Sequence, residues 1–537
     1  MASITATIRA TIGGAHVGTG ALPALGLIAA LGLGGCHHGA PSGNGAPVAI
    51  TNPCSIKLSA LTSTIPQGSL STPADVDCFA WQGFIALNWR ADPAKPGYPD
   101  PAATVATLGT PGDMSPKVWE TYREAASVFG PVIKGDWLDK RPAVKPLTRT
   151  SKFGSLDLTD IAQAGSGHHW LTSQRHEVTY FEVMMNRDEF LFVTTQKPQF
   201  DLTTAAGQLA CAQQPGQVLR GDGPPPKVPP KGPLRGAFNM PEGTQDGWDD
   251  VDCEGNLGHY GADGAMEIKA SWTPLPPDHS LDYRYKTAIA EIQDPVTKTM
   301  RRVTVGLVGM HIARKRFPRH EWSWATFEHI DNSPDEAAGG GWSRPALPAN
   351  ANQKPGPGFT FFNPKCNPAE DVYRCVHNAP PTPCLLGSHQ CQPYDAPMQI
   401  TRLNPVGTTA NQVTAYFWSL LPPKSVFNYY RLIDVQWPTK PGDPLPPGQR
   451  VPLPQGDPTP KGSAGGVTQI VANSTLESFQ QTSNACMDCH ANYAQIASPQ
   501  LLHGDASGLR RIARGTANTP APYGSDYSFI FASETKR

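Results

Sequence analysis

No charge of one sign dominates this chain: 44 Lys and Arg stand against 45 Asp and Glu over 537 residues, a net charge of -1. Nucleic acid is held first by a positive field, so the balance argues against nucleic acid as a partner. Also missing are HExxH, GxSxG, GxxxxGK(S/T) and, in the mature body, GxGxxG. Without a zinc-binding helix, a nucleophile elbow or a phosphate-cradling loop, hydrolase and nucleotide-dependent readings lack support. No internal repeat occurs, and no apolar run after the first 36 residues is long enough to span a bilayer. Only 17% of residues are charged, whereas 56 Pro and 52 Gly describe a loop-rich globular chain. Its length admits two to four domains and a sizeable core.

Residues 1 to 36 carry a single charge, Arg9, before an apolar run from Ala21 to Leu33 that ends in Gly34, Gly35 and Cys36. The run reads as a secretory signal. It resembles a bacterial lipoprotein signal, which implies that Cys36 receives a lipid and becomes the mature N-terminus. Residues 37–52, rich in Gly, Pro, Ser and Asn, then form a flexible tether to the membrane surface. An ordinary cleaved signal with an incidental Cys36 is the alternative. Either reading places the protein in the cell envelope, on the periplasmic side.

Export makes the eleven cysteines interpretable, because oxidising compartments favour disulfides. With Cys36, Cys486 and Cys489 set aside, an even set remains: Cys54, Cys78, Cys211, Cys253, Cys366, Cys375, Cys384 and Cys391. Local pairing joins Cys54 to Cys78 and Cys211 to Cys253, with two bridges within 366–391, although spacing alone leaves the connectivity open. Zinc is the rival reading of the last cluster, beside His377 and His389, but it lacks a CxxC knuckle.

Proline-rich and glycine-rich stretches divide the mature chain into an N-terminal α+β block (53–212), a strand-rich central block (237–336), a Cys/Pro-rich block (359–437) and a C-terminal segment (467–537). The expected fold class is α+β, loop-rich and disulfide-stapled. In the first block SPKVWETYREAASVF predicts a helix capped by Ser115, with Trp119, Tyr122, Ala126 and Phe129 on one face. In the second, Met266, Ile268, Ala270 and Trp272 share a strand face, and two apolar runs flank a turn at Asp294 and Pro295, predicting a hairpin. AYFWSLL and FNYYRLIDVQWP in the third block read as strands or short helices.

The chemistry-bearing motif is Cys486-Met487-Asp488-Cys489-His490. In CxxCH the two thiols add to the vinyl groups of a haem and the imidazole ligates its iron. On a helical turn i, i+3 and i+4 share a face, so Cys486, Cys489 and His490 can meet one porphyrin. The preceding NSTLESFQQTSNA predicts a helix capped by Asn473 or Ser474, with Leu476, Phe479 and Ser483 on one side. At this chain's Cys and His frequencies, CxxCH arises by chance only ~0.006 times. A CxxC disulfide or thiol-redox pair is the alternative, but no thioredoxin-like βαβ pattern surrounds it.

On these residues the segment from about 470 to 537 resembles a c-type cytochrome. The segments WQGFIALNW, VWETYREAASVF, FEVMMNRDEF, VGLVGMHIARK, FEHIDN and DYSFIF extend the likeness, over most of the chain, to a group of bacterial exported cytochrome-c-family proteins without a defined function. The resemblance implies one family-wide unit carrying one covalent haem c at its C-terminal part.

Small soluble cytochromes commonly use a downstream Met as the sixth iron ligand, and here the 47 residues from Ala491 contain none. Distal candidates are His503 in that tail and, from the central block, His311, His329 and Met310. Alternation of residues along the strand places His311 with Val303, Val305 and Leu307, and Met310 with Val308 and Ile312 on the other face. His311 and His329 are also the weak candidates for a catalytic acid-base group. Arg510, Arg511 and Arg514 can neutralise haem propionates, although a solvated helix face explains them as well.

The expectation is an exported, lipid-anchored monohaem protein passing single electrons to an envelope redox partner. Cys486 and Cys489 are the tethers and His490 the proximal ligand. A peroxidase-like haem oxidoreductase with an open distal site, and an envelope scaffold whose haem is structural or sensory, are the alternatives. Cys36→Ala is expected to abolish incorporation of radiolabelled fatty acid and release the protein from membranes; a labelled, membrane-bound C36A variant would refute the lipidation.

Overall fold

Thr72 begins the first long helix because its hydroxyl accepts from the Asp75 N–H while the Asp75 carboxylate accepts from the Thr72 N–H, and Pro73 needs no donor at the first position. That helix, α1 (Pro73–Leu87), stops at Asn88. The computed structural model describes residues 51–55, 61–67, 72–129, 135–150, 170–212, 214, 240–243, 250–316, 319–336, 341–381, 396–437, 471–481, 486, 490, 496 and 525–531. Residues 50–537 make one compact unit. Cys36, Cys384, Cys391, Cys489, His503 and Arg510, Arg511 and Arg514 lie outside the described residues.

Among the described residues the other α-helices are α2 (Ala125–Phe129), α3 (Arg187–Thr194), α4 (Ala205–Ala212) and α5 (Thr408–Leu420). The strands are β1 (Arg123–Glu124), β2 (Lys145–Leu147), β3 (Tyr180–Met185), β4 (Asp250–Val251), β5 (Leu257–Gly258), β6 (Met266–Pro274), β7 (Thr287–Gln293), β8 (Met300–Arg316), β9 (Arg319–His329), β10 (Asp335–Glu336), β11 (Trp342–Ser343) and β12 (Tyr430–Gln436). The fold is α+β. Eight strands form the main sheet, in the order β1-β3-β6-β8-β7-β2, with β9 pairing β8 and β12 pairing β9. All its pairings are antiparallel except β2 with β7. The first three sequence blocks all contribute strands to it. Among the described residues there are three disulfides: Cys54–Cys78 and Cys211–Cys253 as expected, and Cys366–Cys375 within the third block.

One face of the sheet packs on α1 and α5. Phe84 stacks on Phe327 with ring centroids 4.4 Å apart, and Trp81 lies between Phe327 at 5.2 Å and Phe417 at 5.4 Å. Trp81 Nε1 donates to Thr414 Oγ1 at 3.1 Å, which satisfies the buried indole. Met266, Ile268, Ala270 and Trp272 of β6 join this core as the alternation requires.

The Asp294–Pro295 hairpin forms as expected between β7 and β8. Two expectations are corrected. The segment 115–129 is not one helix: after a 3-10 turn at Val118–Thr121, Tyr122 is extended, Arg123 and Glu124 pair with Met185 and Met184, and only Ala125–Phe129 is α-helical. Sheet edge pairing overrides the local helical pattern there. Of the two segments read as strands or short helices, AYFWSLL falls in a helix, α5, and FNYYRLIDVQWP in a 3-10 turn followed by β12. Finally, His311 does not share a face with Val303, Val305 and Leu307. Trp272 pairs with Leu307 but Ser271 with Gly309, so Val308 is an inserted residue that reverses the alternation along β8. Leu307, Met310 and Ile312 consequently fall in one core and Val308 in another.

The sheet's second face is covered by C-terminal chain. An added Cβ on Gly309 would lie 2.2 Å from Thr475 Oγ1 and 2.7 Å from Ser271 Oγ. Gly309→Ala is therefore expected to cost ~1–3 kcal/mol by overpacking and to loosen residues 473–481, measured as a lower denaturation midpoint and faster proteolysis of the C-terminal segment. Wild-type stability in G309A would contradict this seating.

Candidate functional site

Three cross-strand rungs on the second face build the site. From β6 through β8 to β9 they are Glu267–Ala313–Trp324, Lys269–His311–Thr326 and Ser271–Gly309–Glu328. Period-two alternation puts the eight side chains, Gly309 having none, on the face away from α1. Most are polar, and burying them demands polar partners.

Residues 471–481 supply part of that cover. Ser271 Oγ meets Thr475 Oγ1 at 2.7 Å, and Asn473 Nδ2 donates to Thr326 Oγ1 at 3.0 Å. Glu328 accepts from the Ser474 N–H and pairs with the Arg402 guanidinium. Asn473 caps the turn as the sequence suggests: its Oδ1 accepts from the N–H of Thr475 and Leu476, at 2.9 and 3.3 Å. Leu476 and Phe479 pack in one cluster. The expected helix over this stretch is nonetheless absent, since residues 474–481 are successive turns. The Glu477 carboxylate accepts from the Asn473 N–H at 2.9 Å and meets His311 Nε2 at 3.1 Å.

His490 sits on the first two rungs. Its ring lies 4.1 Å from that of Trp324 and 4.7 Å from that of Phe529. Its Nδ1 is 2.6 Å from the Tyr527 carbonyl oxygen, so Nδ1–H donates there and the Nε2 lone pair faces away. Nε2 meets Lys269 Nζ at 3.4 Å. Cys486 and His490, four residues apart, both have helical backbone, and Cys486 packs partly buried against the main core.

The carbonyl that fixes this imidazole is itself held in place. Asp526 and Tyr527 both have left-handed backbone, with φ of 51° and 66°. For a bulky residue such as Tyr527 this costs on the order of 1–3 kcal/mol. Compensation comes from Asp526, whose carboxylate takes the Lys315 ammonium at 2.6 Å and the Met240 N–H at 2.9 Å. Burial raises the Asp526 carboxyl to about 6 despite Lys315.

Of the distal candidates, His311 is the one that the structure places on the same sheet face as His490, with strand neighbours other than those expected. Met310 lies on the opposite face of β8, fully buried, with Asn88 Nδ2 4.0 Å from its sulfur. His329 also packs away from His490, stacked on Tyr285 at 3.9 Å. Its Nε2–H donates to the Arg284 carbonyl at 3.1 Å and its Nδ1 accepts from the Asp331 N–H at 3.1 Å. Burial lowers it to about 4, so it stays neutral at physiological pH.

Lys269, Glu267, Glu189 and Glu477 were missed. The signal lay in the strand itself: Glu267 and Lys269 alternate with Met266, Ile268 and Ala270, which places charge on one face of a strand buried on both. Glu189 and Glu267 are 0% and 1% exposed. Burial, then the neighbouring Glu267 charge, raises the Glu189 carboxyl well above its ordinary range; burial raises Glu267, with Lys269 opposing.

For these acids the folded protein keeps a proton that the unfolded chain has released, so stability falls as pH rises above the unfolded carboxyl value of about 4.3. Glu267→Gln, which keeps the shape without the charge, is expected to lessen the loss of urea stability between pH 5 and pH 8. An E267Q profile parallel to wild type would count against it. Among the described residues no cluster of three or more His, Cys, Asp or Glu is placed to hold a bare metal ion, and none of their helices is long and apolar enough to cross a membrane. No family model, curated protein or solved structure matches the chain.

Proposed function

We propose that the chain is an exported, lipid-anchored monohaem c-type protein of the bacterial cell envelope that transfers single electrons to a redox partner protein. The observation that carries the reading is His490 of the CxxCH motif, with Nδ1–H tied to the Tyr527 carbonyl and Nε2 left facing Lys269. A metal-ligating histidine is typically oriented in this way by a second hydrogen bond that fixes its tautomer. Cys486 and Cys489 would hold haem c through thioethers, and His490 Nε2 would ligate its iron. Bound there, haem c supplies a one-electron iron couple. The chain's own residues hold the imidazole proton at Nδ1, and Trp324 and Phe529 limit water beside the ring.

A second reading, a peroxidase-like oxidoreductase, has one observation in its favour. His311 and Glu477 form a hydrogen-bonded pair on the same face as His490, as a positioned acid-base group requires. It needs an iron position open to small ligands, which carbon monoxide or cyanide binding to the native protein reads directly.

Production of the full chain in cells with cytochrome c maturation machinery tests the main reading. The expected result is one covalent haem per chain by pyridine haemochrome, lost in Cys486→Ala/Cys489→Ala. Absence of covalent haem in wild type, with a co-expressed control cytochrome loaded, would refute it.

A further inference from the structure

We propose that Lys269 is the second axial ligand of the iron, its Nζ binding opposite His490 Nε2. The inference rests on the haem-c reading above and extends it to the ligand that the sequence does not supply in the usual way.

Downstream of the motif there is no methionine. Met310 and His329 lie on the other side of the sheet, and His311 is engaged by Glu477. The side chain that faces Nε2 is Lys269, with Nζ 3.4 Å away. A haem iron held by both side chains would lie between these two nitrogens, so Lys269 and His490 would have to part from their present 3.4 Å to admit it.

Lys269 lies in a largely buried setting that it shares with the Glu267 and Glu189 carboxyls. Lys269 is 9% exposed, and the Phe529 ring lies 5.4 Å from Nζ. Trp324 and Phe529 flank His490 and offer apolar surface to a flat macrocycle. Lys269 projects from the middle of β6, between β3 and β8, so its origin is fixed by ladders on both sides. A rigid strand positions a ligand better than a loop does. To serve in this way Lys269 would release its ammonium proton to water and would donate the freed lone pair to the iron, with no electron changing hands. A filled sixth position favours outer-sphere electron transfer over substrate turnover.

The test is electron paramagnetic resonance and absorption spectroscopy of purified ferric holoprotein. Wild type should be low-spin and slow to bind cyanide. Lys269→Ala, still carrying covalent haem, should lose the low-spin signal for a high-spin one, and added methylamine should restore it. Lys269→Arg keeps the positive charge but its guanidinium does not deprotonate, so it should also be high-spin, which covers the case in which the alanine variant fails to fold. A high-spin wild type, or K269A and K269R spectra that stay low-spin and unchanged, would overturn the ligation while leaving haem attachment intact. No covalent haem in wild type would overturn both. Loss of the low-spin signal in His311→Ala but not in the Lys269 variants would give the position to His311.

Discussion

Lys315 is fully buried on β8, and its ammonium is held by Asp526 across a sequence separation of 211 residues. Breaking such a pair leaves an uncompensated buried charge at a cost of ~3–5 kcal/mol, so the C-terminal residues are bound to the sheet by electrostatic necessity. From that anchor follows the left-handed backbone at Asp526 and Tyr527, and from the backbone the direction of the carbonyl that receives the His490 proton. The position of the imidazole thus depends on a lysine about 175 residues before it in the chain.

The two faces of the sheet are stabilised by different physics. Beneath α1 the chain uses aromatic packing, in which Phe84, Trp81, Phe327 and Phe417 bury large apolar area with a single indole donor to satisfy. Such packing is tolerant of direction and sets stability. Across the second face, Ser271, His311, Thr326 and Glu328 each meet a specific polar partner from residues 473–477. Each bond is worth little net, but an unmade one is costly, so this face selects one seating of the C-terminal chain over any other.

What was legible in the sequence was local. The β7–β8 hairpin, the Cys54–Cys78 and Cys211–Cys253 bridges and the Asn473 cap need only neighbouring residues or parity to infer. The helix expected over 115–129 failed because its middle is taken as an edge strand by β3, a pairing that the segment's own pattern does not encode. The face of His311 failed for a smaller reason: one inserted residue, Val308, inverts every side chain after it. Of the site itself, His490 was visible as a motif, but Lys269 lies 221 residues away and becomes its neighbour only through the fold.

The charged groups around His490 are compensated within the protein. Lys315 faces Asp526, Arg402 faces Glu328, His311 faces Glu477, and burial keeps the Glu189 and Glu267 carboxyls disposed to hold protons. In a medium of low dielectric, groups already paired and packed have little freedom to reorient when a nearby charge changes by one unit. Small reorganisation is what a one-electron carrier requires, whereas turnover of a substrate needs a mobile proton donor and an open position. A nitrogen from Lys269 opposite His490 would close that position and leave the paired charges undisturbed. The same residues that make the sheet face expensive to bury therefore favour a site that changes its charge without changing its shape.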